Sequence, residues 1–225
     1  MPIYKPSLRE LDLAEVRRYA GLAKADFDEK MIEEAAQEAL LLIAPQSAYQ
    51  AYGYDCREGK ILSPSPLQLT GTVLKHLSGC EKVLAISATI GAGIVAAITE
   101  HFQEGRYAHS VLLDAAATEA VEETANALEK MLAPQIKAQG FASRWRFSPG
   151  YGSWPLEAQR ELMPLTGAKE IGLSLTESLM LEPRKSITAI IGLYRPEQSS
   201  QQSGQPGCAS CGQRDCPSRK KGDMP

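Results

Sequence analysis

Apolar and polar positions along the chain switch between helical and strand-like spacing. Residues 11–19 predict a short helix, and Asp26 opens a longer one, with Glu29 three residues on as in a capping box. Met31, Ile32, Ala35, Ala36, Ala39, Leu42 and Ile43 recur at helical spacing, which buries one face, and Pro45 stops the run. Residues 49–54 alternate like a strand. After a turn rich in Pro and Ser, residues 67–77 predict a helix. Residues 82–87 form an apolar, β-prone run between Gly79 and Gly91, hence a buried strand. Residues 91–102 then read as a helix, and the Ala- and Glu-rich stretch 114–132 as a long one. Beyond Gly140 the elements shorten: a strand at 142–147, a Pro149-Gly150 turn, and a helix started by Pro155 over 156–163. Strand-like runs follow at 171–175, 178–181 and 187–193. Helices alternate with strands, so the fold class is α/β or α+β with a mixed sheet.

Composition narrows the function classes. The 225 residues are 44% hydrophobic and 23% charged with a net charge of −3, ordinary for a globular domain with a real core. No long basic run is present, which leaves a nucleic-acid groove without electrostatic support; Arg219-Lys220-Lys221 reads as a solvated tail. The start has no apolar core of signal-peptide length, and the longest apolar runs, 83–86 and 187–193, are too short for a bilayer. The expectation is a cytoplasmic protein with no membrane and no nucleic-acid partner. Residues 196–207 have the Gln, Ser, Gly and Pro of a linker, which predicts a domain over 1–196 and a linker with a cysteine-containing tail over 197–225.

Cys208-Ala-Ser-Cys211-Gly-Gln-Arg-Asp-Cys216 has the spacing Cys-x2-Cys-x4-Cys. The first pair suits two thiolates on one metal, zinc or an iron–sulfur cluster, and a fourth ligand would come from Cys56, Cys80, a His or a partner. The plain alternative is a tail of reduced thiols. His76, His101 and His109 show no metal spacing with one another, and Gly91-Ala-Gly93 lacks the remaining glycines of a nucleotide loop.

The segment Arg146-Phe-Ser-Pro-Gly150-Tyr151 carries the sharpest chemistry. Pro149 fixes one backbone angle, and Gly150 permits a positive one and a close ligand approach. Arg146 can fork onto a carboxylate or phosphate, and Tyr151 adds an aromatic face and a hydroxyl. By spacing alone this is a turn beside an anion-capable Arg. Thr176, Glu177 and Ser178 either line the same cleft or bond locally to the backbone.

The ordered set of that turn, Ile171-Gly-Leu-Ser-Leu-Thr-Glu-Ser-Leu-Met-Leu-Glu-Pro183 and the strand Ser186-Ile-Thr-Ala-Ile-Ile-Gly-Leu resembles the activation domain of cobalamin-dependent methionine synthase. Upstream, Val83 to Gly91 and Leu112-Leu-Asp-Ala with Val121-Glu122 are similar to small stand-alone members of that family. The resemblance spans roughly residues 10–196 and is best defined over 146–191. It implies a mixed, mainly antiparallel sheet packed with helices. It also implies an accessory subunit that binds S-adenosylmethionine and docks on a cobalamin-binding methyltransferase or corrinoid protein, with reductive methylation fed by an electron donor. In that picture Arg146 holds the methionine carboxylate, the backbone around Ser148 and Pro149 meets the adenosyl group, Gly150 allows close approach, and Tyr151 sits at the reacting methyl. Glu122 or Glu129 would face the ammonium or sulfonium. The aromatic pair that the family places after the last strand has no counterpart in residues 194–199. Two rival classes remain: a docking subunit without catalysis, and an electron-transfer module working through the cysteine tail.

Overall fold

A computed structural model describes residues 1–198. The core of the sheet is a pair of long antiparallel strands, β5 (Cys80–Thr89) and β9 (Ser186–Tyr194), running from Lys82 opposite Leu193 to Thr89 opposite Ser186. Both are almost wholly buried because both faces are covered. On one face Leu84, Ile86, Ala189, Ile191 and Leu193 join Leu128, Leu132 and Phe141. On the other, Val83, Ala85 and Ile190 pack with Val73, Leu77, Trp154, Leu162 and Leu165. The period-two alternation of side chains thus feeds two cores, so the run reads as continuously apolar.

Strand β2 (Gln46–Asp55) pairs antiparallel with β5, and β1 (Ile3–Tyr4) and β3 (Lys60–Leu62) pair with its two ends. With β4 (Leu67–Gln68) and β6 (Ala142–Ser143) they complete a seven-stranded sheet in the order β4-β3-β2-β5-β9-β6, with β1 on β2. Every pairing in it is antiparallel. A separate hairpin joins β7 (Ser174–Leu175) to β8 (Leu181–Glu182). The expected class holds: a mixed helix-and-strand fold with an antiparallel sheet packed by helices.

The helical layer is α1 (Leu13–Tyr19), α2 (Glu29–Leu42), α4 (Gly93–Gln103) and α5 (Tyr107–Ala138), with the short α3 (Thr72–His76) and α6 (Gln159–Leu162) on the opposite face. Helix α5 spans 32 residues, longer than the predicted 114–132 at both ends, and passes through Pro134 near its exposed end. Its small residues Ala116, Ala117 and Ala120 bury together with Ala35, Ala36 and Ala39 of α2, which favours close approach of the two helices.

Several local expectations are corrected. The cap of α2 is Asp28, whose Oδ1 accepts from the Lys30 N–H at 3.0 Å, not Asp26. Residues 67–77 divide into β4 and α3, because Gly71 takes φ of 78° between them. The predicted strand at 171–175 begins as a 3₁₀ turn over Ala168–Ile171, and 178–181 is mostly the turn of the β7–β8 hairpin. The predicted helix over 156–163 is broken into 3₁₀ turns around α6. Only Ala142–Ser143 of 142–147 forms a strand, followed by a lone bridge from Phe147 to Ile190. The linker and tail fall outside the described residues.

Glu119 is a buried carboxyl of α5 at 7% exposure. Burial, with Glu15, Asp12 and Glu123 nearby, pushes its pKa up to about 7, against a bond from the Asp12 backbone that favours the charged form. A raised carboxyl contributes stability below its unfolded value and loses it as pH rises through the folded value. Glu119→Gln keeps an acceptor and removes the charge. It should stabilise the protein at pH 8 by on the order of 1–2 kcal/mol, with the gain vanishing near pH 5. Denaturant unfolding at the two pH values checks this; an equal effect at both would contradict it.

Candidate functional site

The turn after β6 is pinned at both ends. Phe147 exchanges two backbone bonds of 2.9 Å with Ile190, which fixes it to the sheet. The Tyr151 N–H then donates to the Ser148 carbonyl at 3.1 Å, and the Gly150 N–H to the Trp154 carbonyl at 2.9 Å. Gly150 takes φ of 88°, which a side chain at this position would strain. Trp154 is fully buried and stacks near Phe147, with ring centroids 6.2 Å apart. Thr72 and Ser153 exchange reciprocal bonds of 3.0 Å, each side-chain oxygen accepting from the other's backbone N–H. The Pro-Gly turn is therefore built into the core while Tyr151 stays half exposed at 52%.

Arg146 points from this segment to α5. Its Nη2 donates to Glu122 Oε2 at 2.5 Å, and its Nη1 donates to Asn126 Oδ1 at 2.8 Å and to Glu129. Positions 122, 126 and 129 follow helical spacing, so one face of α5 presents all three acceptors. Burial disfavours the guanidinium charge, but Glu122 and Glu129 outweigh it and hold the Arg146 pKa above its usual value. Three of the five N–H donors of a guanidinium are thus engaged. The two carboxylates exceed one guanidinium by one negative charge.

A cleft of about 360 Å³ opens beside this cluster. Its walls are Thr118, Val121 and Glu122 of α5, Ser148, Pro149 and Tyr151 of the turn, and Lys185–Thr188 at the start of β9. Leu179 and Met180, from the β7–β8 turn, form the lip, and Leu179 holds φ of 66°, unusual for a side-chain-bearing residue. Gln159 donates to Thr188 at 2.7 Å inside the wall. Lys185 is held by Asp114 and Thr118, each at 2.8 Å. Arg184 is exposed, lines the mouth, and makes no hydrogen bond or ion pair with a described residue. Burial, then the charge of Glu122, raise the Tyr151 pKa, with Arg146 opposing, so the phenol stays neutral near pH 7.

The cleft therefore gathers Glu122, Ser148, Pro149 and Tyr151. Arg146 and Glu129 stand behind it, joined to it through Glu122. Thr176 and Glu177 do not line it. The Thr176 hydroxyl accepts from the Met180 N–H at 3.0 Å and so shapes the lip, while Glu177 is exposed and its carbonyl accepts from Arg160. Lys185 and Arg184 were not anticipated; the one available signal is the basic pair just before the last strand.

The histidines depart from expectation. His101 and His109 meet on one carboxylate, with Nε2 of each facing an oxygen of Glu38 at 2.7 and 2.6 Å. His76 is separate, with its Nε2 2.9 Å from the Trp145 carbonyl. Cys56 and Cys80 are free thiols, and burial pushes the Cys80 pKa up to about 11 although Arg144 opposes it. Cys208, Cys211 and Cys216 lie outside the described residues. No described helix is long and apolar enough to cross a membrane.

No family model matches this sequence, and no curated protein matches it. Among solved structures, the fold is similar to a crystal structure of the MetH reactivation domain bound to AdoHcy, with a TM-score of 0.63 and 14% identity over 93% of this chain and 83% of that one. The chain shares the reactivation-domain fold.

Proposed function

We propose that this chain is an accessory reactivation subunit for a cobalamin-dependent methyltransferase of the methionine synthase type, binding S-adenosylmethionine in the cleft between α5 and the Pro149-Gly150 turn. The observation that carries the reading is the charge layout of that cleft: excess carboxylate at Glu122 on one wall and Arg184, without a partner among the described residues, at the mouth. A sulfonium amino acid needs both signs, a carboxylate for its cationic centres and a cation for its own carboxylate. The volume lies within the roughly 300–1,000 Å³ of small-ligand clefts. The fold shared with a reactivation domain that binds AdoHcy supports the same assignment.

S-adenosylmethionine would supply an electrophilic methyl group to cobalamin on the partner, with an outside donor providing the electron. The chain's own residues bind and orient. Glu122 faces the sulfonium, Arg146 fixes Glu122 from behind, and Arg184 at the mouth serves the ligand's carboxylate. The backbone at Ser148 and Pro149 meets the adenosyl group, Gly150 leaves room, and neutral Tyr151 stands at the open side, where the methyl must leave. Exposed Tyr151, Leu156 and Met180 give the rim an apolar surface for the corrinoid partner. Residues 1–196 form the working domain of a cytoplasmic protein, and Cys208, Cys211 and Cys216 of the 197–225 tail hold zinc or an iron–sulfur cluster.

Calorimetry with the full chain should detect S-adenosylmethionine, and Arg146→Ala should weaken it at least about tenfold, or 1.4 kcal/mol; a wild-type chain that binds none overturns the reading. The charge on Glu122 gives a sharper test. Glu122→Gln should cost S-adenosylmethionine several-fold more affinity than its neutral thioether product, because only the former carries a sulfonium. Equal losses for both ligands would remove Glu122 from that role.

A further inference from the structure

A second cluster of ligating groups lies in the helical layer. Gly105, at φ of 79°, turns the chain between α4 and α5, and the Arg106 N–H caps the His101 carbonyl at 2.9 Å. Ser110 Oγ donates across the turn to the Ile98 carbonyl at 2.8 Å. This tight hairpin sets the His101 and His109 rings edge to face, with centroids 4.8 Å apart. Glu38 of α2 meets both, one carboxylate oxygen to each Nε2, and the three ligand atoms lie within 4.8 Å of one another. The side chains are 8%, 19% and 30% exposed for His101, His109 and Glu38, so the group is mostly walled by protein with its carboxylate on the solvent side.

We propose that Glu38, His101 and His109 form a binding site for one divalent ion of the zinc class, with a fourth position open to water. Two imidazole nitrogens and one carboxylate oxygen are the donor set such an ion takes when three protein ligands leave a position free. Donors about 2.0–2.2 Å from a tetrahedral ion stand roughly 3.3 Å apart. The present contacts of 2.6 and 2.7 Å require Glu38 to withdraw by about half an ångström, a side-chain movement toward solvent. The ligand atoms now spread over as much as 4.8 Å, so the two imidazoles must also turn inward as the ion is taken up, while the Ser110 and Arg106 bonds hold the backbone of the turn between them. The ion would join α2 to the α4–α5 hairpin. It would stand about 20 Å along α5 from Glu122, apart from the cleft.

The test uses the full chain carrying Cys208→Ser, Cys211→Ser and Cys216→Ser, so that tail thiolates do not compete. After chelator treatment it is titrated with Zn²⁺ and with Co²⁺. Expected are one ion per chain, a rise in Tm with added Zn²⁺, and weak visible Co²⁺ bands without thiolate charge transfer. Binding should weaken in acid, because protons compete with the ion for its ligands. His109→Ala and Glu38→Gln, both at partly exposed positions, should each weaken it at least about tenfold. Absence of stoichiometric binding, or affinity unchanged in both variants, overturns the site. S-adenosylmethionine binding, measured on the same samples, should be unaffected by either substitution, which keeps this result separate from that of the cleft.

Discussion

The structure depends on one helix satisfying three neighbours at once. Toward its start α5 buries Ala116, Ala117 and Ala120 with α2, and further on it lays Leu128 and Leu132 on the β5–β9 pair. Between these contacts it presents Glu122, Asn126 and Glu129 to Arg146. The rotation of a rigid helix is a single variable, so the packing that seats its apolar stripe also aims its carboxylates. The same helix carries His109 to Glu38 and Glu119 to the start of α1. Core packing thus positions chemistry that sits well outside the core.

The long elements were legible for a related reason. α2, α5, β5 and β9 bury one stripe or two faces over many residues, and such burial leaves a periodic signal. Residues 67–77 read as one helix and 171–175 as one strand, but the shape of the first is set by distant partners. Thr72 is bonded to Ser153 across the molecule, and α3 seats Val73 and Leu77 in the same core as Trp154. The Pro149-Gly150 turn was readable from local chemistry alone. That Arg146 would face α5, and that Glu122 and Glu129 would be its partners, required the tertiary placement of two segments. His101 and His109 show no metal spacing in the sequence because a turn, not a continuous helix, sets them side by side, and because their third partner lies on α2.

Arg146 changes meaning once its partners are known. An arginine in an open turn is an anion trap, whereas one between two carboxylates is first a neutraliser. Both carboxylates are less than one-third exposed, so leaving them unpaired would cost more than a surface pair. The guanidinium removes most of that cost and leaves one negative charge. A cation in the cleft would meet this charge without having to break the existing bonds, since Glu122 has its second oxygen as a further acceptor. Anion recognition then shifts toward Arg184, which has no described partner to give up.

The cleft's two rims differ in kind. The α5 wall and the β9 start are regular, deeply anchored elements, while the lip is a turn containing Leu179 at positive φ and shaped by the Thr176 hydroxyl. Strain of that sort is tolerated where the surroundings over-determine it, and it collects at ligand-binding edges. The wall holds Glu122 in a fixed place, whereas the lip is a short turn held by its own local bonds to Thr176. The exposed side chains Tyr151 and Met180 lie on that rim. The division between fixed wall and locally held rim is what a subunit needs if it must hold one small molecule while presenting it to a second protein.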